Sequence, residues 1–170
     1  MAVFWTDAQL QKLARVVTGA EQDTDQDVIR YVSGIIERIM IYLGSDLSLK
    51  NLQRFVKERM SGELALHAWS EIHANMPSRL TMVNDNAAIP LAAASLIEYV
   101  AVEVFDVSGP TPKLPHVKEV IASDKDLSAL IAAVAAPPPV RVKAKIRLPI
   151  EPEAVGAKTK SAIKKSQQPE

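Results

Sequence analysis

Ile35-Ile36-Glu37-Arg38-Ile39-Met40-Ile41-Tyr42-Leu43-Gly44 is the stretch on which the fold turns. Val28, Val32, Ile35, Ile36, Ile39 and Leu43 recur three and four residues apart, the period of a helix with one buried face. Gly44 supplies a stop, because glycine readily takes the left-handed conformation that closes a helix. The same plan recurs at an offset of 61 to 65 residues: Leu96-Ile97-Glu98 answers Ile35-Ile36-Glu37, Gly109 answers Gly44, and Val117 and Ile121 answer Leu52 and Val56. A long helix, a loop, a short helix and a terminal helix therefore occur twice. Neither set has enough helix to cover its own long member, and head-to-tail packing of the two would bury both. The sequence predicts an all-α chain built as a pair of matching units.

Outward from that stretch, Thr6 is placed to cap a first helix carrying Leu10, Leu13, Ala14 and Val17 on one face, with Gly19 closing it. Glu21, Asp23, Asp25 and Asp27 make an acidic loop before the first long helix. Ser48 is expected to cap a short helix with Leu52, Phe55, Val56 and Met60 inside, and a further helix is expected from Glu63 to about Met76, ended by Pro77. Asn84-Asp85-Asn86 is a polar loop, the second long helix runs from about Pro90 to Val107, and Pro115 opens a short helix. Ser123 is expected to begin the last helix, with Asp124 and Asp126 in its first turn. Pro137-Pro138-Pro139 ends the helical pattern. Val140, Val142, Ala144, Ile146 and Leu148 then alternate with Arg141, Lys143, Lys145 and Arg147, the mark of an extended segment with one apolar and one basic edge. Residues 151–170 are polar and lysine-bearing and are expected to be disordered.

Composition narrows the function classes. The formal net charge is zero, yet residues 1–136 hold 12 Lys or Arg against 17 Asp or Glu, while residues 137–170 hold 8 against 3. An acidic body with a basic tail suits a partner that is a polyanion. With no cysteine, disulfides and thiolate metal sites are excluded. No uninterrupted apolar run reaches the roughly 20 residues of a membrane span, and Met1 to Leu10 lacks the pattern of a secretory signal, so no membrane role is expected. His67 and His73 are six apart, which does not set them on one helical face, and His116 stands alone. No glycine-rich phosphate loop or nucleophile elbow is present, so no catalytic residue, metal or cofactor is expected. Trp5 and Trp69 read as core or interface anchors.

Particular residues then carry a family likeness. Ser61-Gly62-Glu63-Leu64-Ala65-Leu66-His67-Ala68-Trp69-Ser70-Glu71 resembles the start of the C-terminal helix of histone 2B, and Leu47 to Met60 is similar to the loop and helix before it. Pro90 to Gly109, centred on Leu96-Ile97-Glu98-Tyr99-Val100, resembles the central helix of histone 2A. His116 to Leu130, including Ser123-Asp124-Lys125-Asp126-Leu127, is similar to the helices that follow it there, and Val140 to Pro149 to that histone's docking segment. The likeness covers roughly residues 28 to 150, and the order of the motifs is more specific than any one of them. It is a likeness to the fused histone 2B–histone 2A doublets of giant viruses related to marseillevirus, in a compact form. It implies a histone-2B-like fold over residues 1–76, a histone-2A-like fold over 77–136, a docking segment over 137–150 and a basic tail over 151–170. The helix from Glu63 would end one fold and begin the other.

The resemblance implies a structural protein that packages viral DNA with a histone-3/4-type partner, without reading bases, in the virion and in the host nucleus or a viral replication compartment. Val140, Val142, Ile146 and Leu148 would dock on that partner. Gly44, Asn84 and Thr111 stand where the family places arginines that enter the minor groove, so DNA contact falls to Lys12, Arg15, Lys50, Arg54, Arg79, Lys113 and Lys118 and to the tail. With the acidic loop at Glu21 to Asp27 opposing phosphate, wrapping should be looser and more easily lost to salt. Glu63, Glu71, Glu98, Glu103, Asp106, Asp124 and Asp126 fall at positions of the family's acidic patch, which receives basic chromatin peptides, although Lys125 intrudes where the family has an acid. Two other readings stay open: a histone-fold regulator that binds DNA or a transcription complex without wrapping, and a helical adaptor with no DNA role.

Overall fold

The computed structural model describes residues 5–44, 47–74 and 88–136, which form seven helices and no strand. Four of the helices begin where the chain offers a side chain to their first free N–H groups. Helix α1 (Asp7–Thr18) starts with a reciprocal box: Gln9 N–H donates to Thr6 Oγ1 (3.3 Å) and Thr6 N–H donates to Gln9 Oε1 (2.8 Å). Helix α2 (Gln26–Leu43) is capped by Asp25, which accepts from Asp27 N–H at 3.0 Å, and ends at Gly44. Ser48 caps α3 (Leu49–Arg59) through Asn51 N–H. Helix α4 spans Gly62–Ala74.

Helix α5 (Ala88–Ser108) begins two residues before the expected Pro90. Pro90 falls in its first turn, where an absent N–H costs nothing. Helices α6 (Leu114–Ser123) and α7 (Lys125–Ala135) follow. Ser123 does not begin α7: it is the last residue of α6, and its hydroxyl donates to the Glu119 carbonyl at 3.0 Å. Asp124 caps α7 instead, accepting from Asp126 N–H (3.0 Å) and Leu127 N–H (2.8 Å). With one residue between the helices, the carboxylate that reaches two orphan donors takes the role.

One apolar core runs through all seven helices. The residues expected inside α2 are buried, and Leu52, Phe55, Val56 and Met60 face them from α3 and its end. Helix α5 sits at the centre, packed against α1, α2, α4 and α6. By length and composition alone it could cross a bilayer. Most of its apolar residues, from Ala88 and Ile89 through Ala92, Ala93, Leu96, Ile97, Val100 and Ala101 to Val104 and Phe105, are instead buried by its neighbours. The helix is apolar because it is covered on several sides. Ala92, Ala93 and Ala101 are completely inaccessible, which fits close helix approach.

The two long helices contact each other with opposed ends. Asp25, at the start of α2, is bonded to Lys113, just beyond the end of α5. At the other end of α2 the Tyr42 hydroxyl donates to the Ala136 carbonyl behind α7, while Arg59 lies 4.6 Å over the Tyr42 ring. Helix α4 packs on α3, α5 and α7, so it belongs to both helix sets.

That shared position is locked by a carboxylate. Asp126, in the first turn of α7, accepts from Ser61 Oγ (2.8 Å) and from Glu63 N–H (3.2 Å) at the start of α4. Gly62 between them has φ +55, and a methyl group there would collide with the Asp126 carboxyl. Glycine is therefore required twice, for backbone angle and for space. Asp126→Ala should destabilise the fold by about 1 kcal/mol, the usual worth of a cap. Gly62→Ala should cost about 2 kcal/mol or more, because a left-handed angle for a β-carbon residue is added to the collision. Urea unfolding of the single and double variants checks this. In the Asp126→Ala background the Gly62→Ala cost should shrink, because only the strained angle remains.

Candidate nucleic-acid and partner surfaces

Two surfaces carry the charged residues of interest. The first is the edge where the α1–α2 loop meets the α5–α6 loop. Gly19, with φ 65, turns the chain out of α1, and Gln11 then clamps Thr24. Gln11 Nε2 donates to the Thr24 carbonyl (2.7 Å), and Thr24 N–H donates to Gln11 Oε1 (3.0 Å). Thr24 is buried, and the clamp fixes the backbone on either side of it. Across the edge, the loop Gly109-Pro110-Thr111-Pro112 leads into α6. Thr111 has φ 52 and is the one non-glycine residue with positive φ among the described residues. An L-residue held there is strained.

Lys113 Nζ lies 2.9 Å from Asp25 Oδ2. The Lys113 ammonium holds the Asp25 carboxyl below its usual range, helped by the Asp27 backbone N–H, and Asp25 in turn raises Lys113. Arg15 pairs with Asp23, and these two line one shallow groove with Lys12. Lys118 Nζ stands 5.7 Å from the centroid of the Tyr31 ring. On α3, Arg54 Nε lies 3.9 Å from Glu58 Oε1, and Lys50 is exposed at the helix start. The structure thus brings Lys12, Arg15 and Lys113 to the acidic loop, Lys118 to Tyr31, and Arg54 to an acid of its own helix. Among the described residues, Lys12 and Lys50 make no ion pair. Arg79, and the docking candidates Val140, Val142, Ile146 and Leu148, lie outside the described residues.

The second surface is the groove between α4 and α5. Leu91, Ala94 and Val102 supply apolar lining, with Glu71, Glu98 and Tyr99 beside them. Tyr99 is its chemical centre. Burial pushes its hydroxyl well above the usual value, and Glu103, which accepts its hydrogen bond, raises it further together with Glu71 and Asp126. Of the seven acids expected to form one patch, Glu71, Glu98, Glu103 and Asp126 gather around this tyrosine. Asp124 faces its own helix as a cap, and Asp126 is shared with the start of α4. Asp106 is exposed further along α5, and the Glu63 side chain is exposed at the start of α4. His67 makes an edge contact with Tyr99, ring centroids 6.4 Å apart.

Sequence reasoning missed three participants: Tyr99 as the hub, and Asp23 and Asp25 as direct partners of the cations. Tyr99 and Glu103 are four apart on a helix, so their contact was available from spacing. Asp25 and Lys113 are 88 residues apart, and only the tertiary fold joins them. No protein-family model matches the chain, and no curated protein matches it.

The shifted groups set the pH response. Asp25 is lowered in the fold, so its contribution is present above its ordinary value of 3.8 and is lost as pH falls through the lowered one. Tyr99 is raised, so stability should be flat up to its ordinary value of 10.0 and should fall above it, where only the unfolded chain ionises. Chemical denaturation across pH checks both limbs. Lys113→Met should reduce stability at neutral pH, with the difference vanishing in acid, and Tyr99→Phe should flatten the alkaline decline.

Proposed function

We propose that the chain is a structural histone doublet, an intramolecular histone-2B/2A-like pair that packages double-stranded DNA with a histone-3/4-type partner. The observation that carries this reading is the opposed pairing of the two helix sets. In a head-to-tail pair, the loop before one long helix must lie beside the loop after the other. The Asp25–Lys113 bond joins those two loops. A helix that closes one unit and opens the other is also what a compact fusion requires, and the packing of α4 on α3, α5 and α7 supports that reading. The order of motifs along the chain supplies the histone assignment, and with it the viral setting and an address in the virion and the host nucleus or replication compartment.

On this reading the edge at Arg15 and Lys113 is one DNA contact, made to phosphate and without base recognition. The α4–α5 groove is the acidic patch, narrowed to Glu71, Glu98 and the Tyr99–Glu103 pair, and fits a basic peptide whose aliphatic stem lies on Leu91 and Val102. A second reading, a histone-fold regulator that binds DNA without wrapping it, is favoured by one observation: Arg15 and Lys113 both already hold carboxylates.

Reconstitution separates them. The full chain is mixed with a histone 3–histone 4 tetramer and a duplex of about 147 base pairs, then digested with micrococcal nuclease. A protected core is expected for a packaging protein, at lower salt than a eukaryotic particle tolerates. DNA binding without any protected core would favour the regulator, and no binding at all would overturn both.

A further inference from the structure

The acidic loop is more than an unfavourable neighbour of the candidate DNA contacts. Asp23 and Asp25 stand on either side of Thr24, whose backbone is held from both its N–H and its carbonyl by Gln11. Asp25 is fixed a second time, because it caps α2. The two carboxylates are therefore presented on a rigid support, each to a different cation: Arg15 on α1 and Lys113 at the start of α6. Of the other basic side chains beside this loop, Arg30 lies 3.5 Å from Asp27, and Lys12 lines the groove of Arg15 and Asp23 without an ion pair among the described residues. From the other side, Thr111 is held at a strained positive φ in the loop that delivers Lys113. Both loops are thus shaped around the pairing.

We propose that this loop is an autoinhibitory phosphate mimic: the Asp23 and Asp25 carboxylates occupy Arg15 and Lys113 and hold this DNA-facing edge in a low-affinity state. The inference rests on the DNA-binding reading above. A phosphate that engages either cation must first displace a carboxylate. The displaced carboxylate then recruits a cation from solution, which cancels the counterion that DNA releases. Binding at this edge is consequently weak and nearly insensitive to salt, whereas the unmasked edge binds tightly and responds steeply. Because Arg15, Asp23 and Lys113 are solvent-exposed, the pairs are readily exchanged and the masking is reversible.

The test measures binding of the full chain to a 147-base-pair duplex by fluorescence anisotropy across a salt series. Wild type is compared with D23N/D25N, with that variant carrying R15Q/K113Q as well, and with E37Q/E119Q, which makes the same charge change at exposed positions on α2 and α6. Asparagine at position 25 retains a side-chain oxygen that can cap α2, so the fold is preserved. D23N/D25N should bind roughly fivefold tighter or more in low salt, the scale of one exposed charge contact. Its log–log salt slope should steepen by up to about 1.8, or about 0.9 for each cation freed. Adding R15Q/K113Q should abolish both gains, and E37Q/E119Q should change affinity less than twofold. Equal tightening by E37Q/E119Q, or an unchanged slope in D23N/D25N, would overturn the mimic while leaving DNA binding intact. If neither wild type nor D23N/D25N binds the duplex at any salt, the DNA-binding reading falls with it.

Discussion

The structure depends on the mutual burial of two long helices that cannot be covered by their own neighbours. Helix α5 is apolar over several faces, and its inaccessible residues, among them Leu96, Ile97 and Phe105, require partners on more than one side. Within its own set, α6 supplies one wall. The others come from α1 and α2, which precede it in the chain, and from α4, which joins the sets. Burial of apolar area scales with the surface removed from water, so separating the sets would expose much of the core at once. The opposed pairing sets the start of α2 beside the segment that follows α5, where Asp25 meets Lys113.

Much of this was legible in the sequence. The helix starts at Thr6 and Ser48 and the stops at Gly19 and Gly44 were readable because capping is local chemistry, decided within four residues. Ser123 was misassigned for a related reason. Ser123, Asp124 and Asp126 are all competent caps, and choosing among them requires the exact end of α6. The contacts that create the candidate sites were not readable. Lys113 with Asp25, Asp126 with Ser61, and Tyr42 with Ala136 are each separated by 65 residues or more. Sequence spacing identifies which side chains share a helix face; it does not identify which carboxylate on another helix will meet them.

The same limit explains why lists of charged candidates changed character. Five of the seven acids read as one patch take three jobs: Asp124 caps the start of α7, Asp126 fastens α7 to α4, and Glu71, Glu98 and Glu103 surround Tyr99, while Glu63 and Asp106 are exposed. A carboxylate that satisfies backbone N–H groups has part of its charge already answered, so it attracts a basic peptide less than an equally exposed one without such partners. The α4–α5 groove is therefore lined by fewer acids than the cluster read from the sequence, with Leu91 and Val102 as its apolar part.

Charge distribution along the chain fits the proposed role for a mechanical reason. A folded body that holds its cations against its own carboxylates contributes little long-range attraction to a polyanion. The excess positive charge lies instead in residues 137–170, where 8 Lys or Arg face 3 Glu. Under the proposed function, attraction and placement are separable: the basic segment would raise the local concentration of DNA, and the loops would decide whether a phosphate is seated. Under that division, zero net charge is no argument against a nucleic-acid partner. On the proposed reading, capture and grip would reside in different parts of the chain, with Asp23 and Asp25 paired to Arg15 and Lys113 at the grip.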